Sequence, residues 1–207
     1  MKTGKFISLE GVEGMGKSTA LSFIEKELRH HNISFIRTRE PGGTPVAEQI
    51  RHILLAQHEE TLCANTELLL MFAARVQNIE HVIKPALAQG QWVISDRYTD
   101  ASFAYQGGGR GVPVEKIVQL AQWIQADVVP DLTLLLDAPV DIGLERIKAR
   151  KEKDRIESED VEFFIRVRSA YLELAHKNPQ RYRVIAAHRP LAEVQQQIRI
   201  ALDELGL

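Results

Sequence analysis

The feature that most constrains the fold is the run Gly11-Val-Glu-Gly-Met-Gly-Lys-Ser18, which follows an apolar segment and precedes a helical pattern. Glycines at this spacing let the backbone turn so that successive N–H groups face inward, and the following helix adds its positive end. In such a loop the lysine reaches the β- and γ-phosphates and the serine hydroxyl reaches Mg²⁺. A glycine-rich turn without a ligand is the alternative. The strand and helix on either side favour a nucleoside triphosphate site.

Short apolar runs alternate with longer amphipathic stretches along the chain, which is typical of a parallel α/β sheet. Strands are predicted at residues 5–10, 34–38, 91–95, 132–137 and 182–186. Helices are predicted at residues 18–30, 45–55, 65–89, 114–126, 140–151, 161–176 and 191–205. Glycines at 42–43 and 107–109 read as turns. We expect one α/β domain over residues 1–207, a doubly wound five-stranded parallel sheet whose ligands lie beyond the carboxyl ends of the strands.

The bulk properties exclude several classes of protein. The net charge of −2 gives no general polycation signal for nucleic acid or membrane. The single cysteine, Cys63, excludes an intramolecular disulfide. Neither a signal peptide nor an apolar stretch of membrane-spanning length is evident. We expect a cytoplasmic protein without nucleic-acid or membrane partners.

Charged residues follow the predicted strands. Asp96 and Arg97 end the third strand, and the planar fork of an arginine suits a phosphate. Asp96 also suits a magnesium site. Asp137 is a rival for that role, and a cap on the next helix is the alternative for Asp137. Arg39 and Glu40 end the second strand. A surface ion pair at 96–97 and a capped loop at 39–44 are the alternatives.

A densely basic segment occupies residues 146–155. Arg146 and Arg150 lie at i and i+4 and therefore on one helix face. The alternative is a solvated helix with its acidic neighbours. In a phosphate-binding protein the segment favours a lid, at about residues 143–157, that closes over ATP and excludes water.

The chain resembles the thymidylate kinases of bacteria, which belong to the P-loop nucleoside-monophosphate kinases. The resemblance spans essentially the whole chain and is carried, in this order, by GVEGMGKS, TREPGGT, AARVQ, DRY, SFAYQGGGRG and RIKARKEKDRIE. It implies transfer of the γ-phosphoryl of ATP to dTMP, giving dTDP and ADP, with Mg²⁺ as cofactor. It also implies a homodimer through the long helix at 65–89.

The resemblance assigns roles residue by residue. It implies that Glu13 lies near the sugar 3′-hydroxyl, that Arg97 clamps the acceptor phosphate and that Arg75 hydrogen-bonds the thymine. Tyr105 helps to reject a ribose 2′-hydroxyl, and Arg150 reaches the transferred phosphoryl. The implied catalytic residues are Lys17, Arg97, Arg150 and Glu13. The implied ATP-binding residues are Gly11, Val12, Glu13, Gly14, Met15, Gly16, Lys17, Ser18, Thr19, Arg146 and Arg150. The implied dTMP-binding residues are Glu13, Glu40, Pro41, Arg51, Met71, Phe72, Arg75, Arg97, Ser102, Tyr105 and Gln106. The magnesium ligands are expected to be Ser18 and Asp96, directly or through water.

Two positions depart from the pattern of this family. Met71 stands where the family usually has a phenylalanine that stacks on the base, and Phe72 follows it. Either side chain then forms the wall of the base site, or both belong to the core. Ala101 replaces one of two serines.

Two other functions stay open at this stage. A kinase of a different small acceptor is the nearer one, and a nucleotide-binding module without catalysis is the more distant one.

Overall fold

The computed structural model describes residues 4–125, 127–148 and 154–207. Its centre is a five-stranded, all-parallel sheet in the order β2-β3-β1-β4-β5, which confirms the predicted fold class. The strands are β1 (Phe6–Glu10), β2 (Phe35–Arg39), β3 (Trp92–Asp96), β4 (Leu132–Asp137) and β5 (Tyr182–Ala186). All five residues of β1 are buried, as expected for a central strand covered on both faces.

Helices connect the strands and cover the sheet. They are α1 (Lys17–His30), α2 (Pro45–Leu55), α3 (Ala64–Asn78), α4 (Lys84–Ala88), α5 (Thr99–Ser102), α6 (Val114–Gln125), α7 (Val140–Lys148), α8 (Val161–Lys177) and α9 (Leu191–Leu205). Thr44 caps α2 by accepting a hydrogen bond from the Ala47 N–H. The capped loop at 39–44, given above as an alternative, is therefore present. Among the described residues, no helix is long and apolar enough to cross a membrane.

The long helix predicted at 65–89 is present with a break in its hydrogen-bond pattern. α3 passes into a π-helical turn, Ile79–Ile83, and then into α4. Ile79 and Ile83 pack with Phe6, Val93 and Tyr98 beneath the sheet. The apolar face of the second half of this helix is therefore buried in the core.

The turn predicted at the three consecutive glycines is wrong. They end a continuous helical segment made of α5 and a π-helical stretch, Phe103–Gly109. A Cβ on Gly109 would lie 2.5 Å from the Phe163 ring, and one on Gly108 would lie 2.7 Å from Ala170 Cβ. Gly108 and Gly109 are required because this segment packs directly on α8, and periodicity along the chain does not reveal such a contact.

Candidate active site

The phosphate loop lies between β1 and α1, at the carboxyl edge of the sheet. Gly14 and Gly16 have positive φ angles of 75° and 85°, which only glycine adopts readily. The Lys17 ammonium donates to the Gly11 and Val12 carbonyls, both at 3.0 Å. Burial and the nearby Arg97 charge lower the pKa of Lys17 to about 8. The side chains of the predicted residues Val12 and Met15 are buried.

A polar cavity opens over this loop, and we call it the phosphate cavity. It is lined by Glu13, Gly14, Gly16, Lys17, Ser18, Thr19, Arg37, Arg39, Glu40, Arg51, Asp96, Arg97, Arg146, Asp154 and Glu157. Its lining carries five arginines and one lysine against five carboxylates, a formal excess of one positive charge, and the N-terminus of α1 adds the positive end of its dipole. The cavity therefore suits a polyanion.

A second and more apolar cavity adjoins it, and we call it the deep cavity. It is lined by Glu13, Glu40, Pro41, Arg51, Leu55, Met71, Arg75, Arg97, Ala101, Ser102, Tyr105, Asp154 and Ile156. The residues that line both cavities are Glu13, Glu40, Arg51, Arg97 and Asp154. Two ligands placed in the two cavities would meet at these shared side chains.

Arg97 stands at this junction in a left-handed conformation, with φ at 69°. Its Nη2 donates to Glu13 Oε1 at 2.8 Å and to the Tyr105 hydroxyl at 2.9 Å. The Tyr105 hydroxyl donates in turn to Glu13 Oε2 at 2.6 Å. Burial raises the pKa of Tyr105 well above its usual value, so the phenol keeps its proton. The three predicted residues thus form one closed hydrogen-bonded triangle.

Glu10 and Tyr171 support Arg97 from behind, and the sequence reasoning missed both. Arg97 Nη1 donates to the Tyr171 hydroxyl at 3.1 Å. The Tyr171 hydroxyl and the Tyr98 N–H both bond to the Glu10 carboxyl group, at 2.7 and 2.8 Å. Burial and the charge of Asp100 raise the pKa of Glu10 to about 8. A carboxylate that ends a fully buried strand is a signal by which Glu10 could have been found, whereas Tyr171 lies in the middle of α8 and carries no such signal.

Arg75 and Glu40 form a buried ion pair in the wall of the deep cavity. Arg75 Nε lies 2.7 Å from Glu40 Oε2, and the two side chains are 1% and 2% exposed. Arg75 Nη1 and Ser102 Oγ are buried and have no hydrogen-bond partner within the described chain. A ligand with polar groups on one edge would satisfy both atoms, since buried donors are otherwise paired.

Met71 and Phe72 have different environments. Met71 lines the deep cavity. Phe72 is 1% exposed and packs with Leu68, Val112 and Ile117. The Arg75 guanidinium lies 4.5 Å from the Phe72 ring centroid, so Phe72 supports that arginine rather than facing the cavity. Gln106 is also buried and is not among the residues that line the deep cavity. Its side-chain amide donates to Glu67 at 2.8 Å.

The predicted magnesium ligands both line the phosphate cavity. Asp96 Oδ1 is buried and has no hydrogen-bond partner among the described residues, and Ser18 lies at the start of α1. Asp137, the rival, is instead occupied by Arg168, with distances of 2.7 and 2.9 Å. No cluster of three His, Cys, Asp or Glu side chains suited to a metal occurs in the described ranges. One carboxylate and one hydroxyl fit Mg²⁺ that is otherwise held by phosphates and water.

A third cavity extends from the phosphate loop toward α9, a helix in which the sequence had predicted no site residue. It is lined by Gly14, Met15, Gly16, Thr19, Ala20, Phe23, Leu136, Arg146, Ala187, Arg189, Leu191, Val194, Gln195 and Ile198. Arg146 lines this cavity and the phosphate cavity, and its Nη1 donates to the Gly14 carbonyl at 3.1 Å. The third cavity is a mainly apolar slot that continues from the phosphate loop.

The predicted lid is only partly described. Arg150 lies outside the described residues. Asp154, on the far side of that gap, lines both the phosphate and the deep cavity. One described end of the lid segment, at Asp154, therefore borders the junction of the two cavities, whereas the other end, at Arg146, borders the phosphate cavity and the third cavity toward α9.

Comparisons with known proteins agree with this geometry. The family model described as thymidylate kinase matches residues 9–198. The thymidylate kinase of Methylococcus capsulatus is 54% identical over 205 residues, covering 99% of this chain and 98% of that protein. That of Teredinibacter turnerae is 53% identical, covering 97% and 98%. The crystal structure of thymidylate kinase from Ehrlichia chaffeensis is 32% identical with a TM-score of 0.75, covering 96% of this chain and 98% of that one. On the sequence, the sheet and the site together, the chain belongs to the thymidylate kinase family.

Proposed function

We propose that the protein transfers the γ-phosphoryl of ATP to dTMP, giving dTDP and ADP. One observation carries the proposal: an arginine-rich cavity over the phosphate loop and a deep, more apolar cavity meet at Arg97 and Glu13. The ATP triphosphate lies in the phosphate cavity, with its adenosine in the third cavity. The dTMP lies in the deep cavity with its phosphate at the junction.

Polar atoms in the deep cavity match the acceptor in this placement. The buried Arg75 Nη1 and Ser102 Oγ lack partners among the described residues, and they donate to the thymine edge. Met71 packs on the base, and Tyr105 and Glu13 border the sugar. Pro41 and Arg51 close the wall near the phosphate, where Arg51 Nη1 donates to the Pro41 carbonyl at 2.9 Å.

Phosphoryl transfer depends on the alignment of the two substrates and on stabilisation of the phosphoryl charge more than on covalent catalysis. The acceptor phosphate is already an anion, so no general base is required. Lys17 and Arg97 stabilise the charge of the transferring phosphoryl, since both line the phosphate cavity. Arg150 is proposed to add its charge from the lid. Bound Mg²⁺, held by Ser18 and Asp96 directly or through water, would neutralise phosphate charge in the same cavity.

We also propose a homodimer through the outer face of α3 and α6. Trp123 is 80% exposed and Leu69 is 58% exposed, and both line one shallow groove together with Leu68 and Leu120. Large apolar side chains this exposed and this close together are typical of protein interfaces. Sedimentation velocity of the wild type and of Trp123→Glu tests it. A wild-type dimer that the substitution dissociates supports the proposal, and a wild-type monomer at micromolar concentration contradicts it.

A cytoplasmic location is proposed as well, because the one cysteine is an exposed free thiol.

A coupled ADP-release assay with ATP and Mg²⁺ tests the proposed reaction. We would compare dTMP with dUMP, dCMP, AMP, GMP and shikimate as acceptors. A strong preference for dTMP supports the proposal. Preference for another acceptor would overturn the placement of thymine at Arg75, and ATP binding without any transfer would favour the module without catalysis.

A further inference from the structure

Glu67 is a buried carboxylate that lines neither of the two substrate cavities. It lies in the first turn of α3 and is 0% exposed. Its Oε1 accepts from Gln106 at 2.8 Å and from Arg110 at 3.3 Å, and its Oε2 accepts from Arg155 at 2.6 Å. Burial raises the pKa of Glu67, but the Gln106 hydrogen bond and the two arginine charges together outweigh it and lower that pKa. Glu67 is therefore ionised.

Arg155 links Glu67 to the wall of the deep cavity. Its Nε donates to the Leu54 carbonyl at 2.9 Å, and its backbone N–H donates to the Leu55 carbonyl at 3.2 Å. Asp154 and Ile156, on either side of it in sequence, both line the deep cavity, as does Leu55. A single guanidinium thus joins this wall to the end of α2 and to α3.

Gln106 and Arg110 link Glu67 to the opposite wall. Gln106 follows Tyr105, whose hydroxyl contacts Arg97 and Glu13 at the junction. Arg110 also pairs with Glu159 at 2.7 Å, and its guanidinium lies 4.7 Å from the Phe163 ring centroid. Both sides of the deep cavity are therefore tied to one carboxylate.

We propose that Glu67 is a positioning residue of the acceptor site. It holds the 154–156 wall and the Tyr105 wall at the separation that dTMP requires, and it touches neither substrate. This inference rests on the proposed function, since it places dTMP in the deep cavity. A purely structural role is the competing account, because removing one partner from a buried ionic network destabilises a protein.

Glu67→Gln tests the proposal, because it removes the charge with little change of shape. We expect the KM for dTMP to rise about tenfold or more, since small misplacements at a site have large kinetic costs. The KM for ATP should change much less, because Glu67 lines neither the phosphate cavity nor the third cavity, and Asp154 is the only residue of the 154–156 wall that lines the phosphate cavity. Glu27→Gln is the matched control. It removes a carboxylate from a bidentate pair with Arg199, between α1 and α9, and should leave both KM values unchanged.

Arg155→Met provides a second variant at a more exposed position, which keeps the test valid if Glu67→Gln does not fold. We expect the same selective loss for dTMP, and the double variant should be no worse than either single variant. The proposal would be overturned if the KM values for ATP and dTMP changed equally, or if the effects of the two substitutions on the KM for dTMP multiplied in the double variant. A lowered Tm with normal KM values would also overturn it. Wild-type protein that does not phosphorylate dTMP would overturn the proposed function together with this inference, whereas an active wild type with unaffected variants overturns this inference alone.

Discussion

The phosphate loop and the deep cavity achieve binding in different ways. The loop is built from eight consecutive residues, Gly11 to Ser18, and presents mainly backbone groups. The deep cavity is built from side chains of several separate chain segments, and two ion pairs are already formed in its lining, Arg75 with Glu40 and Arg97 with Glu13. A loop of backbone donors recognises any polyphosphate. A cavity in which such ion pairs are already formed selects one acceptor by its shape and by the few hydrogen-bond donors that remain unpaired.

The largest effect is expected where the two regions meet. Arg97→Met should lower kcat about 10³-fold, because it removes a cation that lines both cavities where the phosphoryl is proposed to pass between the substrates. The KM for ATP should change far less, since Lys17 and the loop backbone remain. Steady-state rates in both substrates measure this. A loss confined to the KM for dTMP would make Arg97 part of the acceptor site only.

Arg75→Met tests the deep cavity alone. We expect the KM for dTMP to rise about 10- to 100-fold through the loss of a charged donor, with a smaller change in kcat. Stability should fall by about 3–5 kcal/mol, because Glu40 is left buried without its partner.

The double variant Glu40→Gln with Arg75→Met separates these two effects. Thermal and denaturant unfolding should show that much of the stability returns, while the KM for dTMP stays high. Full recovery of the KM would mean that Arg75 acts through the fold and not on the nucleotide.

The phosphate loop should show its own pH dependence. Because the pKa of Lys17 is lowered to about 8, its ammonium is charged below that pH in the free enzyme and neutral above it. The kcat/KM for ATP should therefore be level below pH 8 and fall up to about tenfold per pH unit above it. Bound phosphates favour the charged form, so kcat at saturating ATP should fall at higher pH. A kcat/KM for ATP that is level to about pH 10 would contradict this account of Lys17.

The smallest expected effect distinguishes the two neighbouring apolar residues. Met71→Ala should raise the KM for dTMP about fivefold, through lost apolar contact with the base, and leave the KM for ATP unchanged. Phe72→Leu should instead lower stability by about 1 kcal/mol with little change in either KM. A raised KM for dTMP in Phe72→Leu, with an unchanged KM in Met71→Ala, would place Phe72 and not Met71 beside the base.

The same contrast explains how much the sequence predicted. The phosphate loop, the five strands and the charged strand ends follow from local pattern, and the sheet order then brings Asp96 and Arg97 beside the loop. The packing of Gly108 and Gly109 on α8, and the support of Arg97 by Tyr171, join residues far apart in sequence. Periodicity does not encode such contacts. It also does not show whether Met71 or Phe72 faces the cavity, because a helix rotation equivalent to one residue exchanges the two side chains.

The most direct test of the central claim is binding of an adenosine and a thymidine joined through a chain of phosphates. If the phosphate and deep cavities form one continuous site at Arg97 and Glu13, one such molecule should bind per chain. It should displace both ATP and dTMP and bind more tightly than either nucleotide, because the second contact becomes intramolecular. Calorimetry would measure its stoichiometry and affinity. Displacement of only one of the two nucleotides would contradict the claim that the cavities meet.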